Sequence, residues 1–230
     1  MGTITGTTII GDAALALKDV PGTRWPGTDL LAYLNDGLRE LVILKPEACT
    51  YNGTFQLTAG ATRHTLPQTA IELIDITRNM GADGATPGLP ITITSKRMLD
   101  AVEPTWSTTA SDGYIKHYSY DVRDPKVFFT YRKAPATAWY VDIIYSLLPT
   151  PLSTAGDALT VDDIYKNALL EYVLHRAYSK DAETQNGQLA VAHYQAFANL
   201  LGVKIANEQG RNPNLTATPF NAAVPSTAKI

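Results

Sequence analysis

The chain has 230 residues, 45% hydrophobic and 18% charged, which is enough apolar material to bury a core and too much for a disordered chain. Nineteen Lys and Arg against 22 Asp and Glu leave a net charge of -3 with no dense basic run, which argues against a protein that grips nucleic acid through a cationic face. Cys49 is the single cysteine, so no intrachain disulfide can form, and nothing points to an oxidising compartment. The opening stretch MGTITGTTIIGDAALALKD lacks a basic region followed by an apolar one. The longest apolar run, AWYVDIIYSLL, is short and interrupted by Asp142. The expectation is a chain made in the cytoplasm, with no signal peptide and no membrane span.

Helical periodicity comes first. GDAALALKD predicts a short apolar helix from near Asp12, stopped before the turn dipeptide Pro21-Gly22. TDLLAYLNDGLRELVILKPEA predicts a longer one. Its Leu30, Leu31, Leu34, Leu38, Leu41 and Val42 recur at three- and four-residue steps, Thr28 is placed to cap the start, and Pro46 blocks extension. Gly37 inside this helix costs about 1 kcal/mol relative to Ala, which implies a neighbouring helix in close approach.

From about Thr50 the period changes to two, in short runs rich in β-branched and aromatic residues. Strands are predicted at TFQLT, TRHTLP, IELIDITRN, PITIT, YIKHYSYD, KVFFTY and WYVDIIYS, with a short helix, SKRMLDAV, between the fourth and fifth. Asp124-Pro125 supplies a tight turn that pairs YIKHYSYD with KVFFTY as an antiparallel hairpin. After the linker PTPLSTAGD, helical period returns near Asp162 and again over 188–201, where Ala190, Tyr194, Phe197 and Leu201 form an apolar stripe and Gly202 is placed as the stop. Beyond Ala206 no period remains, and Pro213, Pro219 and Pro225 favour extended backbone.

The fold class these patterns predict is α+β: a helical bundle with an inserted antiparallel β-sheet or sandwich and an extended C-terminal arm. Residues 1–49 and 151–206 supply the bundle, 50–150 the insertion and 207–230 the arm.

Glu171 and His175 are the pairing most suggestive of chemistry, four residues apart on a helix with Asp162, Asp163, Asp181 and Glu183 around them. A zinc site needs about three convergent ligands, yet the chain has only His64, His117, His175 and His193 and no His-Glu-x-x-His pattern. A helical ion pair or hydrogen bond between Glu171 and His175 is the favoured reading; a metal or acid/base site shared with Asp162 or His193 is the competing one. The loop GADGATPG, residues 81–88, has the glycines of an anion cradle but neither the Lys-Ser/Thr end of a P-loop nor the ligands of a calcium loop, and reads as a β–β connection. Cys49 lacks a protease signature and reads as a small buried side chain. Tyr118, Tyr120, Tyr131 and Tyr140 alternate along strands, a pattern that fits packing better than ligand stacking. No cofactor, metal or catalytic residue is assigned.

Arg24-Trp25, LAYLNDGLREL, LKPEA, RNMGADGATPG, HYSYDVRDPKVFFTY, DDIYKNALLEYVLHRAYSKDAE and HYQAFANLLG occur in this order. Through them the chain resembles the head-to-tail adaptor (connector) proteins of short-tailed bacteriophages, over roughly residues 12–202. Arg132-Lys133 depart from the resemblance, standing where a Pro-rich pair is expected. The resemblance implies a structural virion protein at the head-tail junction and no catalysis. It also implies a twelve-copy ring under the portal protein, which extends the DNA channel, docks the tail nozzle protein and lets genomic DNA pass without specific binding. In that setting the C-terminal arm is expected to bind the portal, with Pro213, Pro219 and Pro225 keeping it extended and Leu215, Phe220, Val224 and Ile230 as apolar anchors. Two other classes compete: a carbohydrate-binding tail module, which needs solvent-facing aromatics, and a metal-dependent hydrolase, which needs Glu171 and His175 on an ion.

Overall fold

In the computed structural model, which describes residues 2–180 and 186–211, the leucine steps of the second helical segment become α2 (Gly27–Leu44). Leu30, Leu34, Leu38 and Leu41 form its buried stripe. Pro26 occupies the N-cap and no side chain caps the helix, so Thr28 lies inside the first turn and does not make the expected cap. α1 spans Gly6–Ala16 rather than starting near Asp12. The sequence hid its first turns because Thr7, Thr8, Ile9 and Ile10 are β-branched and favour strands; full burial of Ile9 overrides that preference. α1 is joined to α2 by a turn built on Asp19, whose carboxylate accepts the backbone N–H of Thr23, Arg24 and Trp25 at 2.9, 2.7 and 2.8 Å. The Trp25 N–H, ahead of the other two, holds the Asp19 carboxyl below the usual carboxylate range.

α4 (Lys166–Lys180) follows a 3-10 turn at Asp163–Tyr165, where Asp162 accepts the Ile164 N–H at 3.1 Å. α5 spans Asn186–Arg211 and passes through Gly202 instead of stopping there. Residues 207–211, read from the sequence as the start of the extended arm, are therefore helical. Contacts beyond the glycine offset its cost: Lys204 pairs with Glu208 one turn on at 2.9 Å and stacks over Tyr165, and Glu208 pairs with the buried Lys45.

α4 is the hub of the helical core. Its Lys166 reaches Asp12 of α1 at 2.8 Å, and its Tyr172 ring lies where a Cβ added at Gly37 of α2 would come within 2.9 Å, the close approach that the glycine foretold. Trp25 donates from Nε1 to the Ala177 carbonyl at 3.1 Å, fastening the α1–α2 turn to α4. Leu152, Leu159 and Val161 of the following linker join the same core.

Between α2 and α4 the chain forms two sheets. In the first, β7 (Tyr140–Leu147) lies between β1 (Thr50–Gln56) and β3 (Ala70–Asn79), antiparallel to both. The second contains β2 (Arg63–Thr65), β6 (Val127–Thr130), β5 (His117–Tyr120) and β4 (Thr92–Ile93), in that order across the sheet. β5 and β6 form the hairpin expected at Asp124-Pro125. The second sheet is mixed, not antiparallel throughout: β4 and β5 run parallel. The cause is α3 (Lys96–Val102), which carries the chain back across the sheet edge before the next strand begins. One apolar core is shared by residues of both sheets, including Leu73, Ile76, Phe128 and Ile143.

Two buried polar residues fix the registers. Asn79 donates to the carbonyls of Leu89 and Ile115 at 3.0 and 2.8 Å and accepts the Ile115 N–H and Trp139 Nε1, so its side chain is fully used. His64 accepts the Thr58 N–H at Nδ1 and lies 3.2 Å at Nε2 from the Thr130 hydroxyl. The sheets enter and leave the helical core side by side, since the Leu147 N–H donates to the Cys49 carbonyl at 2.8 Å and Leu147 packs on both cores.

Candidate functional site

Glu171 and His175 do not bond to each other. Each turns toward α5 and meets a different partner there. The Glu171 carboxylate pairs with His193 Nδ1 at 2.6 Å, while His175 Nδ1 donates to the Ala190 carbonyl at 2.8 Å. The expected helical contact is thus replaced by an interhelical one. The four-residue spacing put both side chains on one face, but α5, a non-local element, supplied better acceptors and donors for each. The Tyr178 ring stacks on His193 with centroids 5.3 Å apart, and His175 packs between Tyr172 and Tyr194 at 5.8 and 5.1 Å. Phe197 closes the row against Tyr172. Tyr194, expected in the apolar stripe with the buried Ala190, Phe197 and Leu201, is partly exposed and donates its hydroxyl to Glu40 of α2 at 3.1 Å.

Chemically, a carboxylate on an imidazole can orient a base. At the Glu171–His193 pair, however, the neighbour that the structure gives is the Tyr178 ring stacked on the imidazole. Among the described residues no three His, Cys, Asp or Glu side chains are grouped to hold a metal ion. Asp162, the other candidate ligand, accepts the Ile164 N–H at the N-cap of the 3-10 turn. The seam is a row of aromatic and hydrogen-bonded contacts that locks α4 to α5.

The other sequence candidates are also engaged in structure. In the loop between β3 and β4, Asp83 accepts the N–H groups of Ala85 and Thr86 and the Thr86 hydroxyl. These bonds, the Ala85 N–H first, draw its carboxyl down to about 2. The loop's only carboxylate thus folds back on it, and Gly81 and Gly84 supply the positive φ of a tight β–β connection. Cys49 is buried, and burial pushes its thiol up, so it is a packing residue at the helix-sheet junction. Of the alternating tyrosines, Tyr118 is buried with its hydroxyl on Asp75 at 2.8 Å; Tyr120, Tyr131 and Tyr140 are only half-buried. The arm residues Pro213, Leu215, Pro219, Phe220, Val224, Pro225 and Ile230 lie outside the described residues.

Sequence reasoning missed Lys45. Its side chain is buried beside the helix-sheet junction, where it pairs with Glu208 and lies 3.7 Å from Glu47. Burial works to raise the Glu208 carboxyl, but the hydrogen bonds from Lys45 and Lys204 outweigh it and leave it lowered. No local pattern in the sequence joins position 45 to position 208.

The structure therefore gives an α+β chain whose candidate site is built from contact-making groups, with interhelical pairs and aromatic rows where the sequence had suggested a reactive pair. Those contacts hold the chain's own elements together. The family is given by comparison: residues 4–219 match the family described as SU10 adaptor protein, and the chain belongs to that family of bacteriophage adaptor proteins. Nothing among the curated proteins matches the chain. As an adaptor the protein is a virion component that contacts other phage structural proteins, and no helix among its described residues is long and apolar enough to cross a membrane.

Proposed function

We propose that this adaptor assembles as a ring beneath the portal, extends the DNA channel at the head-tail junction and offers its far side to the tail nozzle. Membership of the adaptor family carries this reading. A helical bundle formed by α1, α2, α4 and α5 serves as the ring body, and the two sheets form an insertion that enters and leaves beside Cys49 and Leu147. The twelve copies follow from the resemblance to connectors of short-tailed phages. The mild acidity of the chain suits a channel wall along which DNA slides, since phosphate adhesion depends on Lys and Arg.

The segment after Arg211 is the portal-binding arm. Pro213, Pro219 and Pro225 remove backbone donors and keep it from closing a helix, and Leu215, Phe220, Val224 and Ile230 are spaced as apolar anchors for a groove on the portal. Negative-stain imaging of the purified protein mixed with its cognate portal tests the reading. A second ring stacked coaxially on the portal is expected; portal particles unchanged at saturating adaptor would refute it.

A further inference from the structure

The two sheets end in four outer strands, and three of those edges are short or covered. The second sheet ends in β2, of three residues, and β4, of two. The outer edge of β3 is bridged from Arg78 to Pro90, with the Asn79 N–H donating to the Leu89 carbonyl and the Ile91 N–H to the Thr77 carbonyl, each at 2.9 Å. β1 differs. It is seven residues long, its register on β7 is unbroken, and its sequence TYNGTFQ contains neither a charge nor a proline. Short length, bulges, charge and proline are the means by which proteins keep an edge from pairing, and β1 has none of them.

Its hydrogen-bonding groups face a known way. The Leu57 N–H donates to the Trp139 carbonyl at 2.9 Å and the Leu147 N–H to the Cys49 carbonyl at 2.8 Å, so the odd-numbered residues of this strand point toward β7 and Thr50, Asn52, Thr54 and Gln56 point away. All four are exposed. Among the described residues none of their N–H groups has a partner, and the Thr54 carbonyl takes the Tyr51 hydroxyl of the same strand at 3.1 Å. A row of main-chain donors and acceptors at strand spacing is satisfied by another extended backbone.

The chain itself delivers one to this place. Glu208, near the end of α5, pairs with Lys45, and Glu208 and Thr50 line the same hollow of about 480 Å³ at the helix-sheet junction. α5 ends at Arg211, and the next seven residues, 212–218, match β1 in length before Pro219. The proline spacing suits an edge. Pro213, Pro219 and Pro225 are six apart, a multiple of the strand period of two, so in extended backbone all three turn to one side and the other side keeps every N–H, at Asn214, Thr216 and Thr218. Proline is tolerated in a sheet where its missing donor faces solvent.

We infer that residues 212–218 add to β1 of their own chain as a parallel edge strand, with Asn214, Thr216 and Thr218 donating to β1 and Pro213 and Pro219 turned outward. The parallel sense follows from the end of α5, which lies beside the first residue of β1. The outward prolines then leave the new edge short of donors for a further strand. In this register Leu215 shares the exposed face of Asn52 and Thr54, and Phe220, Val224 and Ile230 lie past the paired run, so these apolar side chains stay available to the portal. The inference concerns the free chain and rests on neither the ring nor portal binding.

Amide hydrogen exchange followed by NMR tests it on the free protein, at the outward-facing Asn52 and Thr54. Exchange there should be about threefold slower in the full chain than in a chain ending at Arg211, a modest effect because a single strand on an open edge holds weakly. Thr216→Pro, which removes a donor facing β1, should abolish the slowing, and Ala217→Pro, which removes one facing solvent, should keep it. Equal exchange in the full and shortened chains would overturn the pairing, and equal effects of the two proline variants would overturn its register. Slowing that grows with protein concentration would show that a second copy supplies the strand, and would overturn the assignment to the same chain. Portal co-sedimentation is a separate measurement, so failure here leaves the portal reading standing.

Discussion

His64 brings a titratable ring into the core between the sheets, and the cost of charging it there should be visible in solution. Burial draws its pKa down to about 4 from the ordinary 6.5. Above pH 6.5 the ring is neutral folded or unfolded; as pH falls toward 4 only the unfolded chain takes up the proton, so stability is lost across that window. The full loss is on the order of 3 kcal/mol. Thermal melts between pH 7 and pH 4 should fall steadily for the wild type and more gently for His64→Gln once each is referred to its own value at pH 7. Gly37 gives a second test at this scale. Gly37→Ala would place a methyl 2.9 Å from the buried Tyr172 ring, so despite the better helix propensity of Ala it should destabilise by about 1 to 3 kcal/mol, read as a lower denaturant midpoint. Arg132 shows how a single residue can depart from a family resemblance for a local reason. Its φ is 63°, a left-handed conformation closed to proline, and it is fastened by Glu103 and Asp112. A proline at position 132 could not adopt this turn.

At the scale of elements, the helix-sheet junction is the place to cut. Cys49, Leu152, Leu159 and Val161 belong to the helical core, whereas the strands begin at Thr50 and end at Leu147, with the two ends hydrogen-bonded to each other. A chain in which a short Gly/Ser linker joins Cys49 to Thr150 should therefore keep its helical circular dichroism and a cooperative melt, at reduced stability because Leu147 and Ile71 no longer cover that core. Loss of all helix would show that the sheets are part of one inseparable core. The strands themselves were legible in sequence because short runs rich in β-branched and aromatic residues are bounded by turn residues, and β5–β6 was legible because Asp124-Pro125 names its own turn. The parallel β4–β5 pairing was also written there, in the helical SKRMLDAV between two strands, but reading it needed the crossover rule more than the periodicity. The far end of α5 was not legible. Gly202 is a sound local stop signal, and Lys204, Tyr165, Lys45 and Glu208 outvote it only once the chain has folded.

For the whole molecule, the proposal that the C-terminal segment binds the portal has a simple test. Its boundary moves to Arg211, because deletion from Asn207 would also remove Glu208 and leave Lys45 buried without its nearest carboxylate. Removing residues 212–230 should leave the melting temperature within about 1 °C of the full chain, yet abolish co-sedimentation with portal rings. Binding undiminished by the truncation would move the portal contact onto the helices. Each arm alone should hold weakly, since the roughly 1.5 to 3 kcal/mol from burying an apolar anchor is opposed by ordering its backbone at about 1 to 2 kcal/mol per residue. Repetition around the proposed ring would supply the avidity.

By itself the sequence determined the elements and their order, because helical and strand periods, prolines and turn dipeptides act over a few residues and are written where they act. It also determined that Gly37 needs a close neighbour, that Asp162 opens the segment leading into α4, and, through its ordered motifs, the adaptor family. Only the tertiary structure decided which partners the polar side chains take: Glu171 with His193 across two helices, His175 with the Ala190 carbonyl, Lys45 with Glu208. The physical reason is range: backbone propensity is settled among neighbours in the chain, whereas a side chain's hydrogen bond belongs to whatever the packed core brings beside it.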